Sequence, residues 1–135
     1  MKISIKTKAS GGKQEVMQQI QPNDHTAWLE AFEPSTRPMM AQCYIDVMQE
    51  DATGLTQALE RTDAVAVRAL LHKIKGGAAM VGHHLLATEA HHLLQAGSLP
   101  VQGEPALIQF SRNLSQSIEH VVNWQSMQTS EDPGP

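Results

Sequence analysis

The sequence predicts an all-α protein: an antiparallel four-helix bundle with a short extra N-terminal helix. Three observations carry this expectation. Only five aromatic residues occur (Trp28, Phe32, Tyr44, Phe110, Trp124), whereas Leu, Ala, Met, Gln and Glu are plentiful, a bias towards helix and away from a β-sandwich or barrel. Four segments repeat apolar residues at three- and four-residue steps, and each is bounded by a capping residue, a proline or a glycine. The length of 135 residues suits one domain with one hydrophobic core.

Residues 1–25 mix Lys, Ser, Gly and Gln with no sustained period and read as a flexible linker or arm. Thr26 to Phe32 forms a short helix capped by Asp24 or Thr26, with Trp28, Leu29 and Phe32 on one side as a lid. The first long helix starts near Ser35-Thr36-Arg37-Pro38, because Ser or Thr caps and Pro is tolerated in a first turn. Its stripe is Met40, Cys43, Tyr44, Val47, Asp51, Leu55, Ala58 and Leu59, with Gly54 a weak point but not a stop before Glu60. Thr62 or Asp63 caps the next helix, which buries Val67, Leu70, Leu71, Ile74, Ala78 and Val81 and ends at Gly82. The third, His83 to Ala96, carries Leu86, Ala90, Leu93 and Leu94 and is closed by Gly97. After a loop at Ser98–Gly103, a last helix begins at Glu104-Pro105 and buries Leu107, Phe110, Leu114, Ile118, Val121 and Val122 to about Met127. The bundle thus occupies residues 26–128, and residues 129–135, with their Pro-Gly-Pro ending, form a disordered tail. Four such stripes can be buried only against one another.

The net charge of −4 is unevenly spread: four of the ten basic residues lie within the first 13 positions, leaving the bundle acidic. An acidic domain lacks the cationic stripe that a nucleic-acid backbone requires. Cys43 is the only cysteine, so no intramolecular disulfide forms, and its apolar neighbours suggest a buried thiol in a reducing compartment. The first 20 residues lack the apolar core of a secretory signal, and no apolar run is long enough for a membrane span, so no direct membrane contact is expected.

The segment around His72 departs from a plain core helix. With residues placed 100° apart and Val67 at zero, the apolar stripe falls within about 60°, while His72 lies at about 140° and points at solvent. Its face carries Lys75 at about 80°, Arg68 at about 100°, Ala79 at about 120°, Gly76 at about 180° and Ala69 at about 200°. Outside the arm there are six basic residues, and Arg68, Lys73 and Lys75 lie within four positions of His72. A neutral imidazole is a competent nucleophile near neutral pH, and its phosphorylated form remains a reactive donor. Phosphoryl transfer needs in-line approach, so the residues beside the nucleophile must be low, and Gly76 supplies clearance one turn away. Lys75 is placed to meet phosphoryl oxygens. The bland alternative is a solvated histidine, with Gly76-Gly77 marking a bend or a close helix contact.

The stretch Leu71-His72-Lys73-Ile74-Lys75-Gly76-Gly77-Ala78-Ala79-Met80-Val81-Gly82 resembles the signature of histidine-containing phosphotransfer (HPt) domains, His-x-Leu/Ile-Lys-Gly-Ser/Ala followed by a later glycine. Asp63, nine residues before His72, also falls where that family often has Asp. The wording is especially similar to the C-terminal module of bacterial hybrid sensor histidine kinases of the ArcB and BvgS type. By their place around His72, Arg68, Ala69, Lys73 and Ala79 are expected to meet the partner; the resemblance implies that His72 is phosphorylated, Lys75 is the phosphate-side cation and Gly76 is the clearance position. It implies receiver domains of response regulators as partners. They would supply the magnesium, so this chain would need no cofactor of its own and, as an isolated domain, would act as a monomer. Gly77 replaces the usual Ser or Ala, and Leu94-Gln95 stands where Leu-Glu is frequent. The chain is expected in the cytoplasm, free or as the cytoplasmic end of an inner-membrane sensor kinase. It has no Gly-x-x-x-x-Gly-Lys-Ser/Thr loop, so ATP-dependent self-phosphorylation is not expected.

Two rival readings remain at this level. His83, His84, His91 and His92 crowd one helix, and Glu89 with His92 makes one Glu-x-x-His pair, whereas bundle di-metal sites use two such pairs and two further glutamates. A non-catalytic helical adaptor is the other, with Met39, Met40, Met48 and Met80 as an adaptable groove or, more plainly, core filler. On the phosphotransfer reading, His84→Ala and His91→Ala are expected to leave transfer unchanged.

Overall fold

The structure, a computed structural model, describes residues 26–131. The expected arm and residues 132–135 lie outside the described residues. A short 3-10 helix, Ala27–Ala31, precedes four α-helices: α1 (Arg37–Glu60), α2 (Ala64–Met80), α3 (His84–Gln95) and α4 (Pro105–Glu131). There is no strand among the described residues. Helix α1 packs against α2 and α4, and α3 against the same two, so the helices close a ring around one core. This is the antiparallel four-helix bundle that the apolar stripes require.

The turns explain where each helix begins. Pro38 sits in the first turn of α1, where its missing N–H costs nothing, but the Thr36 hydroxyl makes no capping bond. Helix α1 ends through Thr62, whose φ of 55° is left-handed; the Thr62 and Asp63 N–H groups donate to the Leu59 and Ala58 carbonyls at 3.1 and 2.9 Å. Thr62 therefore terminates α1, and the cap of α2 is Asp63, whose carboxylate accepts from the Ala66 N–H at 3.2 Å. Between α2 and α3, Gly82 takes φ +78°, and the His83 N–H donates to the Ala78 carbonyl at 2.8 Å. His83 is the cap of α3 rather than its first residue: its buried Nδ1 accepts from the Leu86 N–H at 3.4 Å. Helix α4 runs to Glu131, beyond the expected end near Met127.

The expected stripes of α2, α3 and α4 face the core, led by the buried Val67, Leu71, Ile74, Leu86 and Phe110, with Leu70, Val81, Leu94 and Val122 half-buried at its edge. Helix α1 differs: its core side is Ala41, Tyr44, Ile45, Met48, Asp51, Leu55 and Ala58, while Val47 is exposed. Cys43 is also exposed, which corrects the expectation of a buried thiol. Periodicity allowed two adjacent wedges, and contact with both α2 and α4 selects the one containing Ile45 and Met48. Leu29 of the 3-10 helix is fully buried, and Trp28 packs on Tyr44 with ring centroids 5.5 Å apart, forming the expected lid.

Helices α1 and α4 share one buried polar contact, between the Tyr44 hydroxyl and Ser117 Oγ at 2.5 Å. Burial pushes the Tyr44 phenol above its ordinary pKa, and the Ser117 bond only partly offsets this. Tyr44→Phe should cost about 1–3 kcal/mol, because the Ser117 hydroxyl loses its partner, and Tyr44→Phe with Ser117→Ala should recover most of that loss. Since the folded-state pKa is raised, this contribution is intact below pH 10.0 and falls as pH rises above that value. Chemical denaturation of the wild type and both variants from pH 8 to 11 checks both statements. The variants should show a flatter alkaline limb.

Candidate functional site

Helix α2 buries Val67, Leu71, Ile74 and Ala78, and this fixes its rotation. The opposite side, with His72, Ala69, Gly76 and Ala79, is exposed. A Cβ added at Gly76 would meet nothing within 4 Å, so the space one turn beyond the imidazole is open. Gly77 answers to a different demand, since a Cβ there would stand 2.8 Å from Met48 Cε of α1. The paired glycines thus split: one leaves room at the surface, the other admits a buried neighbour.

The cations separate in the same way. Lys75 Nζ lies 3.0 Å from His91 Nδ1, across the seam between α2 and α3. Arg68 Nη1 donates to the Leu94 carbonyl at 3.3 Å, on that same side of α2. Lys73 leans the other way, and its Nζ pairs with Asp51 Oδ1 of α1 at 3.0 Å. The hydrogen bond from Lys73 to Asp51, and the charge of Asp51, raise the Lys73 pKa above the usual lysine range. Asp51 is only 2% exposed, and its Oδ2 has no hydrogen-bond partner among the described residues, so Lys73 is engaged in compensating a buried carboxylate. On the side of α2 towards α1, Lys73 is thus paired with Asp51, while Lys75 and Arg68 are the cations on the side towards α3.

Two further residues belong to this surface: Val65, absent from the sequence expectations, and Met80, offered there as groove or core filler, are 81% and 89% exposed. On the helical wheel they stand at about 160° and 220°, either side of Gly76, so the angular reading that found His72 had the information to find them. The sequence offers His91 only as a candidate metal ligand or a bystander, and the packing of α3 on α2 brings it to Lys75. The histidine cluster does not converge. His83 is buried as a cap, His84 and His92 are exposed, and both Glu89 carboxylate oxygens accept from Asn113 Nδ2 of α4 at 2.9 Å. Among the described residues no three His, Cys, Asp or Glu side chains are grouped to hold a metal ion.

The fold and site together define an all-α helical bundle with an exposed histidine on one helix face. The family model described as Hpt domain matches residues 39–124, and the chain belongs to that family. No curated protein and no solved structure matches it. Hpt domains act in histidine phosphotransfer within phosphorelays, as intermediates rather than ATP-dependent kinases, and they interact with receiver domains of response regulators. Among the described residues no helix is long and apolar enough to cross a membrane.

Proposed function

We propose that His72 accepts a phosphoryl group from the aspartate of a receiver domain and passes it to a response regulator. The observation that carries this reading is the exposed imidazole on a cleared helix face, one turn from the Lys75 ammonium. One neutral ring nitrogen attacks phosphorus as the P–O bond to the receiver's aspartate breaks; the carboxylate leaves, and the imidazolium proton passes to water. Return transfer reverses these steps.

The division of labour follows from what each surface offers. The receiver brings the magnesium and the phosphorylated aspartate, and this chain brings the nucleophile, a cation and a low docking face. Val65 and Met80 border Ala69, Gly76 and Ala79, giving the partner apolar contact around His72. Arg68 adds positive charge at one side. In this reading the domain acts as a monomer, needs no ATP and serves in the cytoplasm, free or as the end of a sensor kinase.

The direct test is incubation of the chain with receiver domains charged by acetyl phosphate, followed by mapping of the modified residue. Acid-labile label on His72 is the expected result, and label elsewhere or nowhere rejects the reading. Lys75→Ala should slow transfer about tenfold or more, because a charge-assisted donor to the transferring group is removed. Rapid-quench measurement of the first turnover checks it; a rate equal to that of the wild type would remove Lys75 from the mechanism.

A further inference from the structure

We infer that His91 is a positioning residue for transfer at His72, acting through Lys75; the inference rests on the functional reading above. Lys75 lies about 60° round α2 from His72, on the side facing α3. Its Nζ is 3.0 Å from His91 Nδ1. An ammonium has three donors and no acceptor, so in this contact Lys75 Nζ donates and His91 Nδ1 accepts. One Lys75 N–H is thereby held at the seam, and two remain for phosphoryl oxygens. A free lysine samples many rotamers, whereas this one is tethered beside the nucleophile before a partner arrives.

The tether needs the ring lone pair at Nδ1, which an alanine side chain does not supply. The other groups around His91 leave this logic intact. From α2, Arg68 donates to the Leu94 carbonyl; on α3, the His92 ring lies 6.2 Å away between centroids. Glu89 stands about 160° round α3 from His91. It is bound to Asn113 of α4, which in turn accepts from Gln109. His91 is itself exposed, so the bond adds little to stability, and its use lies in where it holds the lysine.

Transfer rates from an acetyl-phosphate-charged receiver to the full chain, at pH 8, test the assignment. At pH 8, His91→Ala should slow transfer about two- to tenfold, the equivalent of freeing one long side chain, which replaces the expectation from the sequence alone that this variant leaves transfer unchanged. His91→Gln, which keeps an uncharged acceptor, should stay near the wild type. In a Lys75→Ala background His91→Ala should have no further effect, since the two act as one unit. Equal rates for wild type and His91→Ala at pH 8, or an undiminished loss in the Lys75→Ala background, would overturn the inference alone. No label on His72 in the wild type would sink the functional reading and this inference together.

Discussion

His72→Gln will give a folded bundle that takes no acid-labile phosphoryl group from any phosphorylated receiver domain. The side chain is exposed, and the core of α2 lies on the opposite face, so the substitution should change stability by no more than about 0.5 kcal/mol. Glutamine keeps the bulk and polarity of the site but lacks a nitrogen lone pair that can attack phosphorus, so the loss should be complete rather than partial. Circular dichroism and thermal melting establish the fold, and labelling with a charged receiver establishes the loss. Equal labelling of wild type and variant would dismiss His72 as the acceptor. No change elsewhere on the surface carries an effect of this size.

Gly76→Leu should move stability and transfer in opposite directions. Nothing lies within 4 Å of the added Cβ, and leucine is the better helix former by somewhat under ~1 kcal/mol, so the variant should melt a few degrees higher. The new side chain nevertheless rises one turn from the imidazole, in the space a receiver must enter. A displacement of about 1 Å at the reacting atoms can cost about a hundredfold, and transfer from a receiver should fall by that order. Phosphoramidate, a donor small enough to reach the ring without docking, should label the variant nearly as well as the wild type. Unchanged transfer from the receiver would reject the steric account, and an equal loss with both donors would move the fault to the imidazole itself.

Much of this was legible along the chain because it depends on one helix at a time. The exposure of His72 follows from Val67, Leu71, Ile74 and Ala78 claiming the other side of α2, an angular relation that 3.6 residues per turn determines. The ends of the helices were less certain, since Thr62 and Asp63 are both plausible caps and only the left-handed backbone at Thr62 assigns the role to Asp63. Cys43 and Val47 were misplaced for a related reason. An amphipathic stripe on α1 can rotate by a residue at small cost in pattern, and burial against two neighbours chooses the rotation.

What the sequence determined by itself was the four helices, the outward histidine and the open position at Gly76, all consequences of periodicity within single segments. What only the tertiary structure decided was the use of the surrounding charges and the second glycine: Lys75 against His91, Lys73 against Asp51, and Gly77 against Met48. Each of these joins two helices. Their partners depend on how far one helix is rotated and shifted against the next, and that is settled by packing the whole core at once, in which no single stripe holds the information.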